Sequence, residues 1–292
     1  METLSREALA VLGEALAYFA ETWEVARGEA TLTPFLDEVL KTGVFSPHDA
    51  RSRRLGRELA RKLTLFAGRG AYSGFIDGKN TLTLDTALTV VELSKLKGAP
   101  DLQGVLLLSL MHLLSIFYES PARVHQPKYL IADETWALLK HESTADVMEE
   151  IARTYRKLRT SAIFLSQQGS DFNTVAGRVL KANAPAKLFL QQADEELPIL
   201  EDLFQLSPAE IALLAKARKH AQWSSAYLQI AGGGGGLIRL IPDAVTRWLV
   251  SQDDHDRAMR EQAVREAGGD LRQAVATLAQ RSPHGRAGGL HA

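Results

Sequence analysis

Two short apolar segments that end in polar pairs constrain the fold of this chain more than any other feature. The run from Tyr129 to Ala132 has the composition of a buried strand and is followed directly by the pair Asp133-Glu134. A second run, from Ala162 to Leu165, ends in the pair Ser166-Gln167. Helical periodicity fills the sequence between them. Strands alternating with helices predict an α/β fold, with a mostly parallel sheet flanked by helices on both faces.

The rest of the chain divides into a helical start, a mixed middle and a helical end. We predict an all-helical subdomain over residues 1–67, an α/β core over 68–250, and C-terminal helices with a frayed tail over 251–292. The longest apolar helix, Leu102 to Glu119, contains a stretch shorter than a membrane span and is interpreted as buried. Further strands are predicted at Thr81–Asp85, Ala87–Leu93 and Lys187–Leu190, and an antiparallel pair at Trp223–Ile230 and Leu237–Ile241.

Composition excludes several classes of protein. The 292 residues contain 34 Lys and Arg against 35 Asp and Glu, a net charge of −1, so the chain is not a uniformly basic nucleic-acid binder. With no cysteine, disulfides, thiolate zinc sites and thiol nucleophiles are all excluded. The basic run from Arg51 to Lys62 leaves a local DNA contact open, although charge patterning favours a solvated helix face.

The pair Asp133-Glu134 has the form of a Walker B element followed by a catalytic glutamate. Ligands of parallel sheets bind at the carboxyl ends of the strands, where this pair is expected to lie. Asp133 would hold Mg²⁺, directly or through water, because that ion needs few carboxylates. Glu134 would deprotonate the water that attacks the γ-phosphate of ATP. The alternative is an acidic first turn that is stabilised by the helix dipole.

Two further candidates have roles in the same chemistry. Gln167, at the tip of the next strand, would contact the γ-phosphate or the attacking water without adding charge; the alternative is a glutamine that caps the following loop. The pair Arg156-Lys157 would act as an arginine finger on the nucleotide of a neighbouring subunit. Cations at a helix C-terminus also stabilise the helix, which is the alternative for this pair.

The phosphate-binding half of such a site is missing from the sequence. A phosphate loop needs the pattern G-x-x-x-x-G-K-[ST], and the nearest candidate is Gly78-Lys79. Its first glycine is replaced by Ser73 and its hydroxyl residue by Asn80. A zinc-protease pattern fails as well, because Ala145 stands where a second histidine is needed after His141-Glu142.

Taken together, the segments resemble the C-terminal part of TraC/TrbE-like, VirB-type ATPases of conjugative type IV secretion, in the FtsK/HerA superfamily. The resemblance spans about residues 60–280, and its order and spacing carry it rather than any single motif. The matching segments are, in chain order, Leu59–Phe66, Gly70, Tyr72, Phe75, Asp77-Gly78, Val90–Leu93, Leu96-Lys97, Leu130–Leu139, Arg156-Lys157, Ile163–Gln167, Asp171, Asn183, Leu188–Gln192 and Trp248–Ser251.

The resemblance implies a RecA-like P-loop NTPase core with an N-terminal helical subdomain, lacking its first strand and Walker A loop. It implies ATP and Mg²⁺ as cofactors, a homo-oligomer, hexameric in expectation, and secretion-channel proteins as partners. It also implies a cytoplasmic position at the bacterial inner membrane, with no membrane span. We expect no hydrolysis by the chain alone, and an upstream polypeptide that carries Walker A. The alternatives are a non-catalytic assembly subunit and a HerA/FtsK-like DNA translocase fragment.

Overall fold

The computed structural model describes residues 4–23, 30–84, 86–93, 96, 98–139, 142–220 and 222–283. The chain divides into two compact units, Met1–Leu113 and Leu114–Ala292. The domain boundaries expected from the sequence, after residues 67 and 250, remain predictions.

Within the described residues, four helices lie in the first two thirds of the first unit. Ser5 begins the first helix by accepting a hydrogen bond from the backbone N–H of Ala8 (3.2 Å), and Asp49 begins the third by accepting one from that of Arg51 (2.8 Å). The helices share a core of buried aliphatic and aromatic side chains. The helices predicted there are confirmed. Their bounds are α1 Arg6–Thr22, α2 Leu32–Pro34 with a π-helical continuation Phe35–Leu40, α3 Ala50–Leu63 with a 3₁₀ turn Thr64–Phe66, and α4 Ser73–Ile76.

The long apolar helix α5, Pro100–Glu119, is less buried than its composition predicts. Leu102, Leu107, Met111 and Tyr118 are buried, and most of its remaining side chains are half-buried or exposed. Among the described residues, this helix is long and apolar enough to cross a membrane by length and composition alone. Core helices of soluble proteins meet the same criterion, so the absence of a membrane span remains a prediction.

A strand–helix–strand unit follows, as predicted. The strands β1, Lys128–Ala132, and β2, Thr160–Phe164, pair in parallel, with Ala132 opposite Phe164. The chain between them forms α6 Thr135–Leu139, α7 Glu142–Thr154 and a 3₁₀ turn Tyr155–Leu158. One face of this pair is exposed, with Tyr129 and Ile131 at 69% and 60%. Coverage of the sheet on both faces is therefore not found among the described residues.

The next three strands form a separate antiparallel sheet, which corrects the prediction of one mostly parallel sheet. Leu188 of the first strand pairs with Leu228 of the second, so their directions oppose. The buried rings of Phe189 and Tyr227 form one core with Leu200 and Leu214, so apolar packing favours this pairing. The sheet has the order β3-β4-β5. The bounds are α8 Val175–Asn183, β3 Ala186–Phe189, α9 Leu197–Phe204, α10 Pro208–Leu214, β4 Ser224–Ile230 and β5 Gly235–Leu240.

The C-terminal helices are confirmed. They pack around the fully buried Trp248, whose core partners include Val275 and Leu278. Gly268 and Gly269 make the turn between the last two helices at φ of +65° and +95°, values that glycine adopts without strain. The helices are α11 Ala244–Val250, α12 Asp254–Glu266 and α13 Leu271–Arg281, and most of the predicted frayed tail lies outside the described residues.

Two of the predicted strands, Thr81–Asp85 and Ala87–Leu93, are not found in the part of the chain that the structure describes. Residues 81–84 and 86–93 are irregular, and Asp85 lies outside the described residues. Leu88 and Val90 are 78% and 79% exposed. A strand is defined by hydrogen bonds to a neighbour, and within the described part of the chain no segment pairs with either run. The apolar, β-branched composition was therefore not sufficient to predict a strand.

Candidate functional site

The ends of β1 and β2 meet at one edge of the parallel pair. The backbone N–H of Leu165 donates to the carbonyl of Ala132 (2.9 Å), and that of Thr135 donates to the carbonyl of Leu165 (2.9 Å). The hydrogen bonds thus continue to Leu165, one residue beyond β2, and to Thr135, three residues beyond β1. Because of this, the side chains that follow β1 and β2 emerge side by side, as the sequence predicted for a ligand edge.

A tight strand-to-helix turn holds the acidic pair. Glu134 has a left-handed backbone at φ 52°, a conformation that costs a non-glycine residue about 1 kcal/mol or more. Its backbone N–H donates to Oδ1 of Asp133 (2.9 Å). The fully buried hydroxyl of Thr135 donates to the carbonyl of Ala132 (2.9 Å), which fixes the first residue of α6. The turn therefore directs the Glu134 side chain back over the sheet edge, while Asp133 remains exposed.

Both carboxylate oxygens of Glu134 accept a hydrogen bond. Nε2 of Gln167 donates to Oε1 (2.5 Å), and the indole Nε1 of Trp136 donates to Oε2. The contact with Gln167 joins residues 33 positions apart in sequence, so it exists only because the two strands pair. Each carboxylate oxygen has a second lone pair, which is able to accept from a water molecule. The arrangement is an oriented, half-buried acceptor at the rim of a sheet.

The loop after Gln167 is fixed by its own hydrogen bond. The Ser166 hydroxyl donates to Oδ2 of Asp171, across a turn that leads into the 3₁₀ segment Gly169–Phe172. This bond fixes the loop on both sides of Gln167. Asp171 belongs to the resemblance noted in the sequence, and its place here is structural support for the loop.

The structure does not bring the pair Arg156-Lys157 to Glu134. Both residues are exposed in the 3₁₀ turn before β2, whereas Gln167 follows the end of that strand. The five residues of β2 separate the two ends by about 16 Å at the usual rise per residue. Neither side chain forms an ion pair with any residue that the structure describes. Their action across a subunit interface remains a prediction.

The end of the sheet where β1 and β2 begin contains a buried cation, Lys128, which no sequence pattern indicated. Nζ of Lys128 donates to the carbonyls of Arg123 (2.6 Å) and Gln126 (3.1 Å), and burial lowers the pKa of this lysine. The side chain therefore closes the turn that leads into β1. The sequence pattern also indicates no chemical role for Trp136. Its position two residues after Glu134 was the available signal, but only the left-handed turn brings its ring to the carboxylate.

The donor set at the edge fits a magnesium ion bound with a nucleotide better than a metal held by protein alone. Among the described residues no cluster of three or more His, Asp or Glu side chains is close enough to hold a metal ion. Mg²⁺ in nucleotide sites keeps several waters and takes one or two carboxylates, with phosphates completing its shell. The exposed carboxylate of Asp133 matches that requirement.

No phosphate loop is formed by the glycines that the structure describes. Gly78 and Lys79 follow the short helix α4 in irregular chain, rather than joining a strand to a helix. Gly232, Gly233 and Gly234 have φ between 92° and 118° and form the turn between β4 and β5. These residues serve a hairpin, as the antiparallel pair predicted from the sequence requires.

Comparison with solved structures shows which fold this chain shares. A solved structure of VirB4 of Thermoanaerobacter pseudethanolicus is similar to this chain with a TM-score of 0.62 and 23% sequence identity. The two proteins share a fold. The match covers 82% of this chain and 64% of VirB4, so this chain corresponds to less than two thirds of that protein. No family model matches the sequence, and the search of curated proteins gave no match.

Proposed function

We propose that the chain is an ATPase component of a conjugative type IV secretion system and contributes the acidic half of its ATP-hydrolysis site. The contact between Glu134 and Gln167 at the carboxyl edge of a parallel strand pair carries this proposal. The VirB4-like fold supports it, because the sequence resemblance points to the same group of proteins. The oligomer, the channel partners and the position at the inner membrane follow from that resemblance and belong to the proposal.

Asp133 is the proposed magnesium ligand. When bound, Mg²⁺ neutralises charge on the transferred phosphate and holds it in line for attack. Asp133 is exposed at the strand end, and its Oδ1 already accepts the backbone N–H of Glu134. That bond fixes the orientation of the carboxylate relative to the neighbouring base. ATP would therefore approach the edge from the side where β1 and β2 end.

Glu134 is the proposed general base, and Gln167 and Trp136 hold it. The indole and the amide N–H groups orient the carboxylate, which then takes the proton of the attacking water. The carbonyl oxygen of Gln167 makes no hydrogen bond within the described residues, so it is able to accept a hydrogen bond from the other O–H of the same water, which keeps that hydrogen. The pair thus positions the water between an amide and a carboxylate.

The phosphate-binding half comes, in this proposal, from a second polypeptide segment with a strand and a Walker A loop. The sequence contains no such loop, and no described glycine turn replaces it. Arg156 and Lys157 are exposed in the turn before β2, at the other end of that strand from Gln167, so they are available to act on the site of a neighbouring subunit. A ring of subunits joined head to tail would place them there.

The test is ATP hydrolysis by the purified chain, alone and mixed with a polypeptide that carries the strand and loop. We expect no turnover alone and Mg²⁺-dependent turnover in the mixture. Glu134→Gln should lower that turnover by about 10²–10⁴-fold, the usual contribution of a general base. Glu201→Gln is the matched control, because Glu201 is exposed on α9 and its side chain has no partner among the described residues.

A non-catalytic assembly subunit is the second candidate, and the missing phosphate loop is the observation that favours it. In that case the mixture would bind its partners but release no phosphate, and Glu134→Gln would change nothing. A HerA/FtsK-like translocase fragment would instead show turnover that depends on added duplex DNA. Robust hydrolysis by the chain alone would contradict the assignment of the phosphate-binding half.

A further inference from the structure

A cluster of cations lies at the start of β4, away from the acidic edge in sequence. Lys216, Arg218 and Lys219 are exposed in the segment after α10. Arg239 is exposed on β5, where its backbone pairs with Ser225. The Ser225 hydroxyl accepts the backbone N–H of Arg218 (2.7 Å). Arg218, Lys219 and Arg239 therefore meet at one end of the antiparallel sheet, with Lys216 two residues before Arg218, in a chain whose net charge is −1.

An aromatic stack is built into the same cluster. The rings of His220 and Trp223 lie 3.8 Å apart between centroids at an interplanar angle of 23°, and the backbone N–H of His220 donates to the carbonyl of Trp223 (2.8 Å). The Arg239 guanidinium lies 4.6 Å from the centre of the Trp223 ring. His220 itself is exposed, so the stack ends in an imidazole that faces solvent.

A cavity of about 490 Å³ adjoins the cluster. Its lining contains Arg218, Lys219 and Ser224 from one side and the two amides of Gln191 and Gln192 from the other. The backbone N–H of Lys219 donates to Oε1 of Gln191 (2.9 Å), which leaves the amide N–H₂ group of that residue as a donor. The polar lining thus consists largely of hydrogen-bond donors and cations, which is the chemistry that phosphate oxygens require.

The cations are not neutralised by acidic partners. Within the described residues Lys216, Arg218, Lys219 and Arg239 form no ion pair. The Arg218 guanidinium donates instead to the carbonyls of Ala215 and Ala217 (2.6 and 2.8 Å). The acids Asp194 and Glu195 line a neighbouring depression together with Arg218. Neither acid lines the cavity beside Lys219, so that side is the one expected to take an anion.

We propose that this cluster binds single-stranded nucleic acid. The cations and amides contact successive phosphates, and an unstacked base lies on the exposed ring of His220. Combined backbone neutralisation and base stacking is how single strands are bound without sequence preference. In a duplex the bases are already stacked on one another, so the ring has no face to contact. This proposal does not depend on ATP hydrolysis and concerns a different part of the second unit.

The test is fluorescence anisotropy of a labelled oligothymidylate of about 15 nucleotides, within the size range of one such site. Lys216→Gln/Lys219→Gln removes two exposed cations whose side chains have no partner among the described residues. We expect affinity to fall about tenfold at low salt, and the slope of log K against log salt to become shallower by about 1.4, or 0.7 for each lost phosphate contact. His220→Ala should weaken binding several-fold without changing that slope.

The matched control is Arg57→Gln/Arg61→Gln, which removes two exposed cations from α3 in the other unit and should change neither affinity nor slope. Glu134→Gln should bind the oligonucleotide as the parent chain does. The proposal is overturned if the parent chain does not bind, or if the α3 variant loses binding instead. Equal affinity for duplex, or full competition by inorganic phosphate at the same phosphate concentration, also overturns it and indicates a simple anion site.

Discussion

Glu134 combines three properties that rarely coincide in a surface carboxylate. It has a left-handed backbone, its two oxygens have different donors, and it lies at the carboxyl edge of a parallel strand pair. Strain of this kind persists only where the surroundings determine it, here through the buried Thr135 hydroxyl and the ladder bond to Leu165. A glutamate that merely stabilised the start of α6 would need none of these contacts.

Gln205 provides a residue-scale prediction that needs no partner protein. It ends α9 with a left-handed backbone at φ 54°, and its side chain donates to the carbonyl of Asp202 (2.5 Å). Gln205→Gly and Gln205→Ala both remove that bond, but only alanine keeps the Cβ that makes this conformation unfavourable. The glycine variant should therefore be more stable than the alanine variant by about 1 kcal/mol in urea unfolding. Equal stabilities would show that the turn is not strained.

At the scale of elements, the junction of α10 and β4 depends on one charged hydrogen bond. The Tyr227 hydroxyl donates to Oε1 of Glu210 (2.6 Å), while the backbone N–H and hydroxyl of Ser207 donate to Oε2. The Tyr227 hydroxyl, followed by Ser207, lowers the pKa of Glu210 to about 2. Burial, with Glu210 beside it, raises the pKa of Tyr227 to about 12. The folded state thus favours ionised Glu210 and neutral Tyr227.

The pKa of Glu210 is lowered and that of Tyr227 is raised, so the folded state loses stability at both ends of the pH range. A carboxyl with a depressed pKa contributes stability above its unfolded pKa of 4.5, which is lost as pH falls toward about 2. A tyrosine with a raised pKa contributes stability below 10, which is lost as pH rises toward about 12. The unfolding free energy should therefore fall in both windows.

Tyr227→Phe tests this dependence. It should cost about 1.5–3 kcal/mol at neutral pH, as for a hydrogen bond to a charged group, and should shrink the loss between pH 4.5 and 2 because the pKa of Glu210 moves back up. Urea unfolding across pH measures both effects. Tyr129→Phe is the control, since Tyr129 is 69% exposed on β1. If the loss of unfolding free energy between pH 4.5 and 2 is unchanged in Tyr227→Phe, the Tyr227 hydroxyl is not what lowers the pKa of Glu210.

Elements with a local sequence signal were predictable. The pairing partner of a strand was predictable for β1 and β2 but not for β3. The ends of β1 and β2 were expected to share an edge, and Glu134 does contact Gln167 there. The run 87–93 has the composition of a strand but no partner among the described residues. Lys187–Leu190 is a strand as predicted, yet it pairs with an antiparallel neighbour whose identity only the folded chain reveals. The sequence contained no sign of the left-handed turn that brings Trp136 to the carboxylate.

At the scale of the whole molecule, the acidic edge and the basic pair lie at opposite ends of β2. Under the proposed function, each therefore serves a different copy of the site. In a head-to-tail ring, the basic pair of one subunit would complete the acidic edge of the next. The chemistry of one site would then be divided among a loop-bearing segment, this acidic edge and a neighbour. That division explains why the isolated chain is expected to be inactive.

Subunit mixing tests this division. Arg156→Ala/Lys157→Ala protein and Glu134→Gln protein should each be inactive in the reconstituted mixture with the loop-bearing polypeptide. Mixed in equal amounts before assembly, they should recover about a quarter of the parent phosphate-release rate, because a random quarter of head-to-tail interfaces joins an intact Glu134 to an intact Arg156. Recovery near zero, with assembly intact by light scattering, would place the two groups in one subunit. Full activity of the unmixed Arg156→Ala/Lys157→Ala protein would remove the basic pair from the reaction.

The most direct measurement of the central claim is a double-mutant cycle on single-turnover ATP hydrolysis by the reconstituted assembly. Rates are compared for the parent chain, Glu134→Gln, Gln167→Ala and the double variant. If Glu134 and Gln167 act as one unit on the attacking water, the double variant should be no slower than Glu134→Gln alone, with nucleotide affinity unchanged throughout. Losses that simply add, or a Glu134→Gln rate equal to that of the parent, would contradict a shared catalytic role at the edge of β1 and β2.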